Sequence, residues 1–444
     1  MKKSLVTMLL IVVLAVTACT PNTAQPADQA APSENQSAQA EGDVTTVRVW
    51  THQNDSFNAG YDALAQSYME EHPDVEIVFE TFDYDSYIQT LQTALPAKTE
   101  ADILQMFGSW VCSYADGGSL VAVPDAVLTM DDAKAQLFSA TIGGYTCNDA
   151  LYGIPQEFNI EYGAVLFNTA TAAEVGATDY EDGWASWDEA SADAQKMAIS
   201  QDGVMTRAGF HFTGSDGIAT MFHSLILQAG GEYLTDAGYS VDTAEGKAAL
   251  ELMQKLVTDG VVDPLLFNDE ENWVGDSYFN GSTAIGLIGP WAVPEYSGDY
   301  PEVVETTIYQ PLPSIGEEPV YAAASGWGLT VSANSTVQDA AWDFVQYVTL
   351  NADNAVEFNL ASGTLPALQE NISGANADKL LTEYPYFNAF LDILQYGIYE
   401  GHFPDRDFVW YEVTYPDVLN FLQGNATMEE TLQTMDRSVQ GSFE

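Results

Sequence analysis

Alternating strand-like and helix-like segments near the front of the chain constrain its fold more than any other feature. Residues 44–51 alternate apolar and polar side chains as a strand does, and residues 57–71 place apolar side chains at helical spacing. The pattern repeats, with strands at 75–80 and 101–106 and a helix at 87–97 between them. Such alternation predicts an α/β fold in which a largely parallel sheet is covered by helices.

Two loops of this predicted sheet are candidates for ligand binding. In open parallel sheets, ligands bind in the crevice beyond the carboxyl ends of the strands, and the loops 51–56 and 107–110 follow two such ends. The first loop offers the polar side chains of Gln53 and Asp55, although simple solvation explains those two equally well. The second offers Trp110, whose aromatic face suits stacking on a ligand.

The first 43 residues are interpreted as an export signal and a tether. Residues 1–18 begin with Lys2 and Lys3, continue with a short apolar run and end in small residues before Cys19. This pattern resembles a bacterial lipobox, in which the cysteine is lipidated and becomes the mature N-terminus. An ordinary cleaved signal with an incidental cysteine is the alternative. Residues 19–43 lack apolar bulk, which predicts a disordered tether that holds an extracytoplasmic body at the outer face of the membrane.

Composition narrows the classes of ligand. About 400 residues follow the tether, too many for one hydrophobic core, so we expect two domains. The formal net charge is -53, and it becomes -55 when the two lysines of the signal are removed. That field disfavours nucleic acid and anionic ligands, while the dispersed acids indicate a solvated acidic surface. The 9 Trp, 23 Tyr and 20 Phe suit a site for a partly apolar, hydroxylated ligand.

Besides Cys19 the chain has two cysteines, Cys112 and Cys147. An oxidising compartment permits a disulfide between them, which would stabilise the fold by roughly 3 to 4 kcal/mol, but the sequence leaves their pairing open. The chain has no Cys-x-x-Cys and no His-Glu-x-x-His, and its five histidines are scattered. We therefore predict no metal site and no cofactor.

Ten short fragments, in order along the chain, resemble one protein family. They are LYGIPQ (151–156), YGAVLFN (162–168), SWDE (186–189), LQAGG (227–231), TAEGKAAL (243–250), FNGSTAI (279–285), GPW (289–291), AAWDFV (340–345), GTLP (363–366) and GNATMEETL (424–432). Each fragment is weak alone, but the shared order is similar to that of extracellular solute-binding proteins of the sugar-binding ABC importer class (family 1, maltodextrin-binding-protein-like). In SWDE, Ser186 is expected to cap a helix.

This resemblance implies a two-lobed periplasmic-binding-protein-like (type II) α/β fold, each lobe a mainly parallel sheet flanked by helices, with the ligand in the cleft between the lobes. The implied lobes are 44–155 with 312–362 and 156–311 with 363–444. The chain is expected to cross between them near 154–157, 309–313 and 362–365, where prolines interrupt regular structure.

The resemblance also implies a function. It is that of a lipid-anchored, monomeric binding protein that captures a neutral sugar or oligosaccharide and delivers it to the permease subunits of an ABC importer. Such a protein is not an enzyme, and we predict no catalytic residues. A sugar presents hydroxyls in its ring plane and apolar C–H groups on its faces, so the cleft needs forked polar groups and aromatic walls.

Several residues of the crossing segments and the second lobe meet that need. Glu157 and Asn159 are polar where the first crossing faces the cleft. Asp216 opens a predicted helix at 217–228, where capping that helix is an equal alternative. Trp291 falls where the resemblance implies a sugar-stacking aromatic.

The remaining candidates are Gly326, Trp327, Arg406 and Trp410. Gly326 has no Cβ and lets the backbone approach a ligand closely. Trp327 and Trp410 are stacking candidates, with core packing as the alternative for both. Arg406 is one of only twelve basic residues, and salt bridges to its acidic neighbours are the alternative to ligand binding.

Two rival functions stay open at this point. A secreted glycosidase-like lipoprotein needs two carboxylates about 5 to 10 Å apart, and Glu157 with Asp216 is the candidate pair. The same fold binding a cationic amine needs an acidic box with aromatic walls.

Overall fold

The computed structural model describes residues 44–266 and 273–443. The predicted signal (1–18), the tether (19–43) and the lipidation candidate Cys19 lie outside these residues. Within the described part of the chain, no helix combines the length and the apolar character that a membrane crossing requires.

The strands and helices alternate through most of the chain. The strands are β1 (Thr45–His52), β2 (Val75–Phe82), β3 (Ile103–Phe107), β4 (Thr146–Cys147), β5 (Ala150–Leu151), β6 (Ile154–Pro155), β7 (Ala164–Asn168), β8 (Ile199–Gln201), β9 (Val204–Arg207), β10 (Leu234–Thr235), β11 (Gly238–Tyr239), β12 (Ile285–Gly286), β13 (Thr307–Pro311), β14 (Tyr321–Ala323), β15 (Trp327–Val331) and β16 (Gly397–Tyr399). The helices are α1 (Asp55–Glu71), α2 (Tyr84–Ala97), α3 (Gly108–Asp116), α4 (Met130–Gln136), α5 (Ser139–Gly143), α6 (Thr169–Val175), α7 (Trp187–Met197), α8 (Ser215–Gln228), α9 (Ala244–Thr258), α10 (Val274–Phe279), α11 (Ala292–Tyr296), α12 (Pro301–Val304), α13 (Gln338–Thr349), α14 (Ala352–Ser362), α15 (Gly374–Glu383), α16 (Asn388–Leu391), α17 (Tyr415–Leu422) and α18 (Met428–Gln440). A π-helical segment, Phe408–Thr414, precedes α17.

The first sheet has the order β2-β1-β3-β15-β6. Strand β1 pairs in parallel with β2 and β3, whereas β15 runs antiparallel to both β3 and β6. The strands and helices predicted between residues 44 and 106 are therefore confirmed. Local signals explain them: Asn54 accepts a hydrogen bond from the backbone N–H of Phe57 at the start of α1, and Val47 and Val49 alternate into the core of the sheet. The predicted cap of α7 by Ser186 is also confirmed.

The second sheet has the order β12-β7-β13, and both outer strands run antiparallel to β7. The prediction of a mainly parallel sheet in each lobe is wrong here, and the first sheet is mixed. That prediction extended a pattern seen only in the first strands, and nothing local in the sequence identified the partners of β7. The parallel contacts beside this sheet are isolated bridges, Ala208 to Thr283 and His211 to Gly286.

Two hydrophobic cores define two lobes. The first surrounds the first sheet with α1, α13 and part of α14, and the second surrounds the second sheet with α8, α9, α17 and α18. The chain crosses between the cores at 154–158 and returns at 323–329. The return was expected at 309–313, but Leu312 packs in the second core. A third crossing pairs Phe158 with Leu365, close to the expected position.

A disulfide joins Cys112 of α3 to Cys147 of β4, with 5.4 Å between the two Cα atoms. The two cysteines are 35 residues apart, so closing this loop stabilises the native state by about 4 kcal/mol on the chain-entropy account. Since Trp110 lies two residues before Cys112 on α3, the disulfide also fastens the helix that positions Trp110.

Candidate ligand-binding site

A cavity of about 930 Å³ lies between the two lobes, and residues of both lobes line it. Nine residues that the sequence singled out lie on its walls: Gln53, Asp55, Trp110, Glu157, Asn159, Asp216, Trp291, Trp327 and Arg406. These nine residues belong to distant parts of the chain, and the fold brings them together around the cavity. Contact of each with a ligand stays a prediction.

An interlocked set of rings forms the wall on the first lobe. The Trp327 indole stacks on the His52 imidazole with ring centroids 4.2 Å apart, and Trp110 meets Trp327 edge-on at 5.3 Å. Tyr84 packs against both tryptophans. Burial lowers the pKa of His52 to about 4, so the imidazole is neutral at pH 7, and its Nδ1–H donates to Gln105 Oε1. The wall is thus aromatic, neutral and held in place by its own contacts.

Three of these wall residues were missed or misplaced by the sequence analysis. Trp110 lies on α3, which begins directly after β3, and not on a loop as predicted. His52 and Tyr84 were not singled out, although His52 immediately precedes Gln53 at the end of β1. An aromatic residue at the end of a strand is the signal that would have identified His52.

The facing wall on the second lobe is built around Glu161, which the sequence analysis also missed. Its Oε1 accepts the indole N–H of Trp291 at 2.8 Å, and its Oε2 accepts the backbone N–H of Gly289 at 2.8 Å. The Trp273 ring lies 5.8 Å from that of Trp291. A carboxylate between Ile160 and Tyr162, just before the apolar strand β7, was the available signal, because acidic side chains are seldom placed among apolar residues without a partner.

Arg406 forms the charged end of the cavity. Its side chain is 10% exposed and donates from Nε to Glu400 Oε1 at 3.0 Å, while Nη1 donates to the Tyr411 hydroxyl at 3.3 Å. Asp216 Oδ1 lies 3.9 Å from Nη1 and accepts a hydrogen bond of 2.8 Å from the Tyr411 hydroxyl. Arg406 therefore pairs chiefly with the buried Glu400, six residues before it, and Asp407 adds a contact at 3.6 Å.

Three predictions for this region need correction. Trp410 does not line the cavity: it is fully buried in the second core, beneath the Arg406 guanidinium at 4.3 Å, and the π-helical turn presents Tyr411 to the cavity instead. Gly326 has φ 74° and lies against Glu157 and Asn159, so its missing Cβ makes room for protein atoms. Asp216 lies in the first turn of α8, whose N-cap is Gly214.

Burial changes the ionisation of Glu157, in the first crossing segment, and of Glu161, on the wall of the second lobe. Glu157 is 3% exposed, and its Oε1 accepts the backbone N–H of Trp327 at 2.9 Å. Desolvation raises the pKa of Glu157 to about 8, and the neighbouring charge of Glu161 adds to the shift. Desolvation likewise raises the pKa of Glu161 to about 7, although the Trp291 N–H opposes it. Both carboxyls therefore titrate near neutral pH.

These pKa values predict how stability depends on pH. The folded state holds a proton on Glu157 up to about pH 8, whereas an unfolded glutamate loses it near 4.5. Raising the pH between these values therefore destabilises the folded state, by at most about 1.4 kcal/mol per pH unit for one proton. We expect the free energy of unfolding of the wild type to fall more steeply between pH 7 and 8 than that of Glu157→Gln.

Urea unfolding at pH 7, 7.5, 8 and 9 measures this slope, in a range where the buried histidines stay neutral. Glu302→Gln, which removes an exposed acid on α12, is the matched control and should keep the wild-type slope. Equal slopes for wild type and Glu157→Gln would show that Glu157 is ionised throughout.

The lining of the cavity offers groups for non-covalent recognition. Carboxylates and the Asn159 amide offer hydrogen-bond acceptors and donors, and the tryptophans offer apolar faces. Among the described residues, no group of His, Cys, Asp and Glu side chains has the arrangement of a metal site.

Two α/β lobes with a polar and aromatic cavity between them are the architecture of extracellular solute-binding proteins. The family model described as "Bacterial extracellular solute-binding protein" matches residues 53–355, more than half of the chain, and the chain belongs to that family.

Individual relatives have the same architecture. The chain is 23% identical over 373 residues to a maltotriose-binding protein of Pyrococcus abyssi, covering 82% of this chain and 75% of that one. It superposes with a TM-score of 0.73 on the sugar-binding protein MalE of Xanthomonas citri, at 19% identity, 89% of this chain and 97% of that one. The cyclic alpha-maltosyl-1,6-maltose binding protein of Arthrobacter globiformis gives a TM-score of 0.73 at 21% identity, with 90% and 98% covered. The predicted two-lobed fold and family are confirmed.

Proposed function

We propose that this protein is the substrate-binding subunit of an ABC importer and holds a sugar or oligosaccharide between its lobes. The observation that supports this most is the single cavity of about 930 Å³ in which tryptophans of both lobes face carboxylates and an amide. Its volume falls within the range of about 300 to 1,000 Å³ that is typical of small-molecule sites. Relatives named for binding maltotriose and a cyclic maltose derivative support the choice of saccharide.

Ligand capture is coupled to closure of the lobes. A ligand that touches Trp327 on one lobe and Trp291 on the other favours the closed state, because only that state offers both surfaces. The crossing segments are the hinges, since they are the places where the chain passes between the two cores. The closed, loaded form is then the one that a permease subunit recognises.

The proposed location of the protein in the cell rests on the sequence of its first 43 residues. Cys19 receives the lipid, residues 19–43 form the tether, and the binding lobes stay at the outer face of the cell membrane close to the permease. The lobes act as a monomer. A tether of this length confines the protein near its partner and raises the effective concentration of the loaded form there.

The protein binds its saccharide without transforming it. Glu157, one member of the rival catalytic pair, has one carboxylate oxygen occupied by the backbone N–H of Trp327, and the other member, Asp216, accepts the Tyr411 hydroxyl. Both carboxylates are thus engaged as acceptors in the binding wall. Incubation with oligosaccharides should release no reducing ends, and release that Glu157→Gln abolishes would establish a glycosidase.

Thermal unfolding in the presence of a saccharide panel tests the binding function. We expect at least one mono- or oligosaccharide at millimolar concentration to raise the melting temperature of the wild type by several degrees, because a ligand bound only to the native state stabilises it by mass action. The Trp291→Ala variant should show a much smaller rise with the same saccharide. A panel without any effect on the wild type would contradict the proposed function.

A further inference from the structure

The walls of the cavity have far more negative than positive charge. Within the described residues, seven carboxylates line it: Asp55, Glu157, Glu161, Asp216, Glu295, Glu400 and Asp407. The one guanidinium among the lining residues, that of Arg406, is hydrogen-bonded to Glu400 and lies close to Asp216 and Asp407. Its charge is therefore already matched by these acids, and the described residues that line the cavity offer no second cation to the other carboxyl groups.

Glu157 and Glu161 form no ion pair within the described part of the chain. Glu157 is 3% exposed, and its Oε1 accepts the neutral backbone N–H of Trp327. Glu161 accepts two N–H groups, both neutral, from Trp291 and Gly289. Neutral donors do not compensate the charge of an ionised carboxylate, so each of these groups ionises at a cost in free energy that a bound cation would offset.

Aromatic rings adjoin both carboxylates. Trp327, whose backbone N–H binds Glu157, belongs to the ring wall of the first lobe, and Trp291, whose indole N–H binds Glu161, belongs to the facing wall. The negative face of an indole attracts a cation within about 6 Å of the ring, most strongly where water is excluded. A cavity that combines these carboxyl groups with tryptophan rings favours a positively charged group over a neutral hydroxyl.

We propose that the saccharide carries a basic amine, and that its ammonium group binds against Glu157 and Glu161 between the Trp327 and Trp291 walls. The proposal rests on the proposed saccharide function and specifies its ligand as an amino sugar or an oligosaccharide that contains one. The remaining hydroxyls of the ligand lie toward Asp216 and Asn159.

The number of protons released on ligand binding is an independent measure of whether an ammonium group binds beside Glu157 and Glu161. The pKa values of Glu157 and Glu161, raised to about 8 and about 7, mean that at pH 7 without a ligand Glu157 is largely protonated and Glu161 is about half protonated. A bound ammonium favours the carboxylate, so a proton leaves the carboxyl for solvent while the ammonium keeps its own. The ionisable groups that interact electrostatically with them are Tyr61, Tyr145, Tyr309, Asp216 and Arg406. Burial raises the pKa of these tyrosines, so they stay neutral at pH 7.

Titration calorimetry with matched pairs of saccharides tests the proposal. The probes are glucose, galactose and mannose, each against its 2-amino-2-deoxy counterpart, and the β-1,4-linked tetramers of glucose and glucosamine. We expect the amine of at least one pair to bind roughly tenfold or more tightly than its hydroxyl partner at low salt, with the preference shrinking as salt is added. Titrations in two buffers of different ionisation enthalpy should reveal proton release for the amine alone.

Variants connect the preference to the named carboxylates. Glu157→Gln and Glu161→Gln should each reduce the preference for the amine over its hydroxyl partner roughly tenfold. Glu302→Gln removes one exposed charge outside the cavity and should change neither affinity. Melting temperatures at pH 7 verify that each variant is folded.

Other outcomes overturn the proposal in distinguishable ways. Neutral saccharides that bind as tightly as their amines would refute the ammonium site and leave the saccharide function intact. An amine preference that survives in both glutamine variants would refute the assignment to Glu157 and Glu161. Binding of spermidine without binding of any saccharide would refute the saccharide function itself, and with it the amino-sugar ligand.

Discussion

Arg406→Ala is expected to lower the free energy of unfolding by about 3 kcal/mol. The guanidinium makes two hydrogen bonds to Glu400, whose side chain is only 4% exposed, and it covers the buried indole of Trp410. Without it, the Glu400 carboxylate would remain buried with its main partner removed. Breaking a buried ion pair typically costs about 3 to 5 kcal/mol. We expect the lower value here because the space left by the Arg406 side chain opens on the cavity, so that water can solvate the Glu400 carboxylate.

Urea unfolding of the wild type and three variants separates the loss of the ion pair from a general loss of stability. Adding Glu400→Gln to Arg406→Ala should restore most of the lost stability, because no uncompensated charge remains. Arg48→Ala is the matched control, since Arg48 is 45% exposed and pairs with the exposed Glu80 at 3.5 Å. We expect that control to cost no more than about 1 kcal/mol. A double variant as unstable as Arg406→Ala would contradict the account of this end of the cavity.

Trp291→Ala is expected to weaken saccharide binding by about 2 kcal/mol, roughly 30-fold in affinity. The indole supplies a stacking face on the second lobe, and its N–H also holds Glu161 in position at 2.8 Å. Trp291→Phe keeps an aromatic face and loses the donor, so we expect it to lose about half as much binding free energy. Calorimetric titration with the saccharide that binds the wild type most tightly measures all three affinities.

An exposed aromatic residue outside the cavity is the matched control for that series. Tyr300 is 36% exposed and packs against Phe279 and Tyr296, away from the cavity walls. Tyr300→Ala should leave the affinity unchanged. If Trp291→Ala also binds with wild-type affinity while it stays folded, Trp291 is a packing residue and the second-lobe wall has been assigned incorrectly.

The parts of the fold that the sequence predicted are those with local causes. Strand alternation and helix caps, such as Asn54 for α1 and Ser186 for α7, act within a few residues and are visible in the sequence. The second sheet is different, because β7 pairs with β12 and β13 from far along the chain and both pairings are antiparallel. Such partners are chosen by burial in the finished core, which no local pattern encodes.

The residues of the site also fall into two groups, those that the sequence could identify and those that it could not. Residues after strand ends, such as Gln53 and Asp55, and tryptophans beside glycines were recognisable as candidates. Glu400 was not, because its importance comes from Arg406, which reaches it only once the chain folds back. Trp410 and Tyr411 are neighbours in sequence, and the π-helical turn decides which of them faces the cavity. That choice depends on backbone geometry, which side-chain type alone does not reveal.

A crystal structure of the protein with its tightest-binding saccharide tests the central claim most directly. The account predicts the sugar within the cavity between the lobes, with ring faces against Trp327 or Trp291 and polar groups hydrogen-bonded to Glu157, Glu161, Asn159 or Asp216. A saccharide bound elsewhere would contradict it. The cavity on the second lobe lined by Tyr309 and Tyr386 is the specific alternative location to inspect.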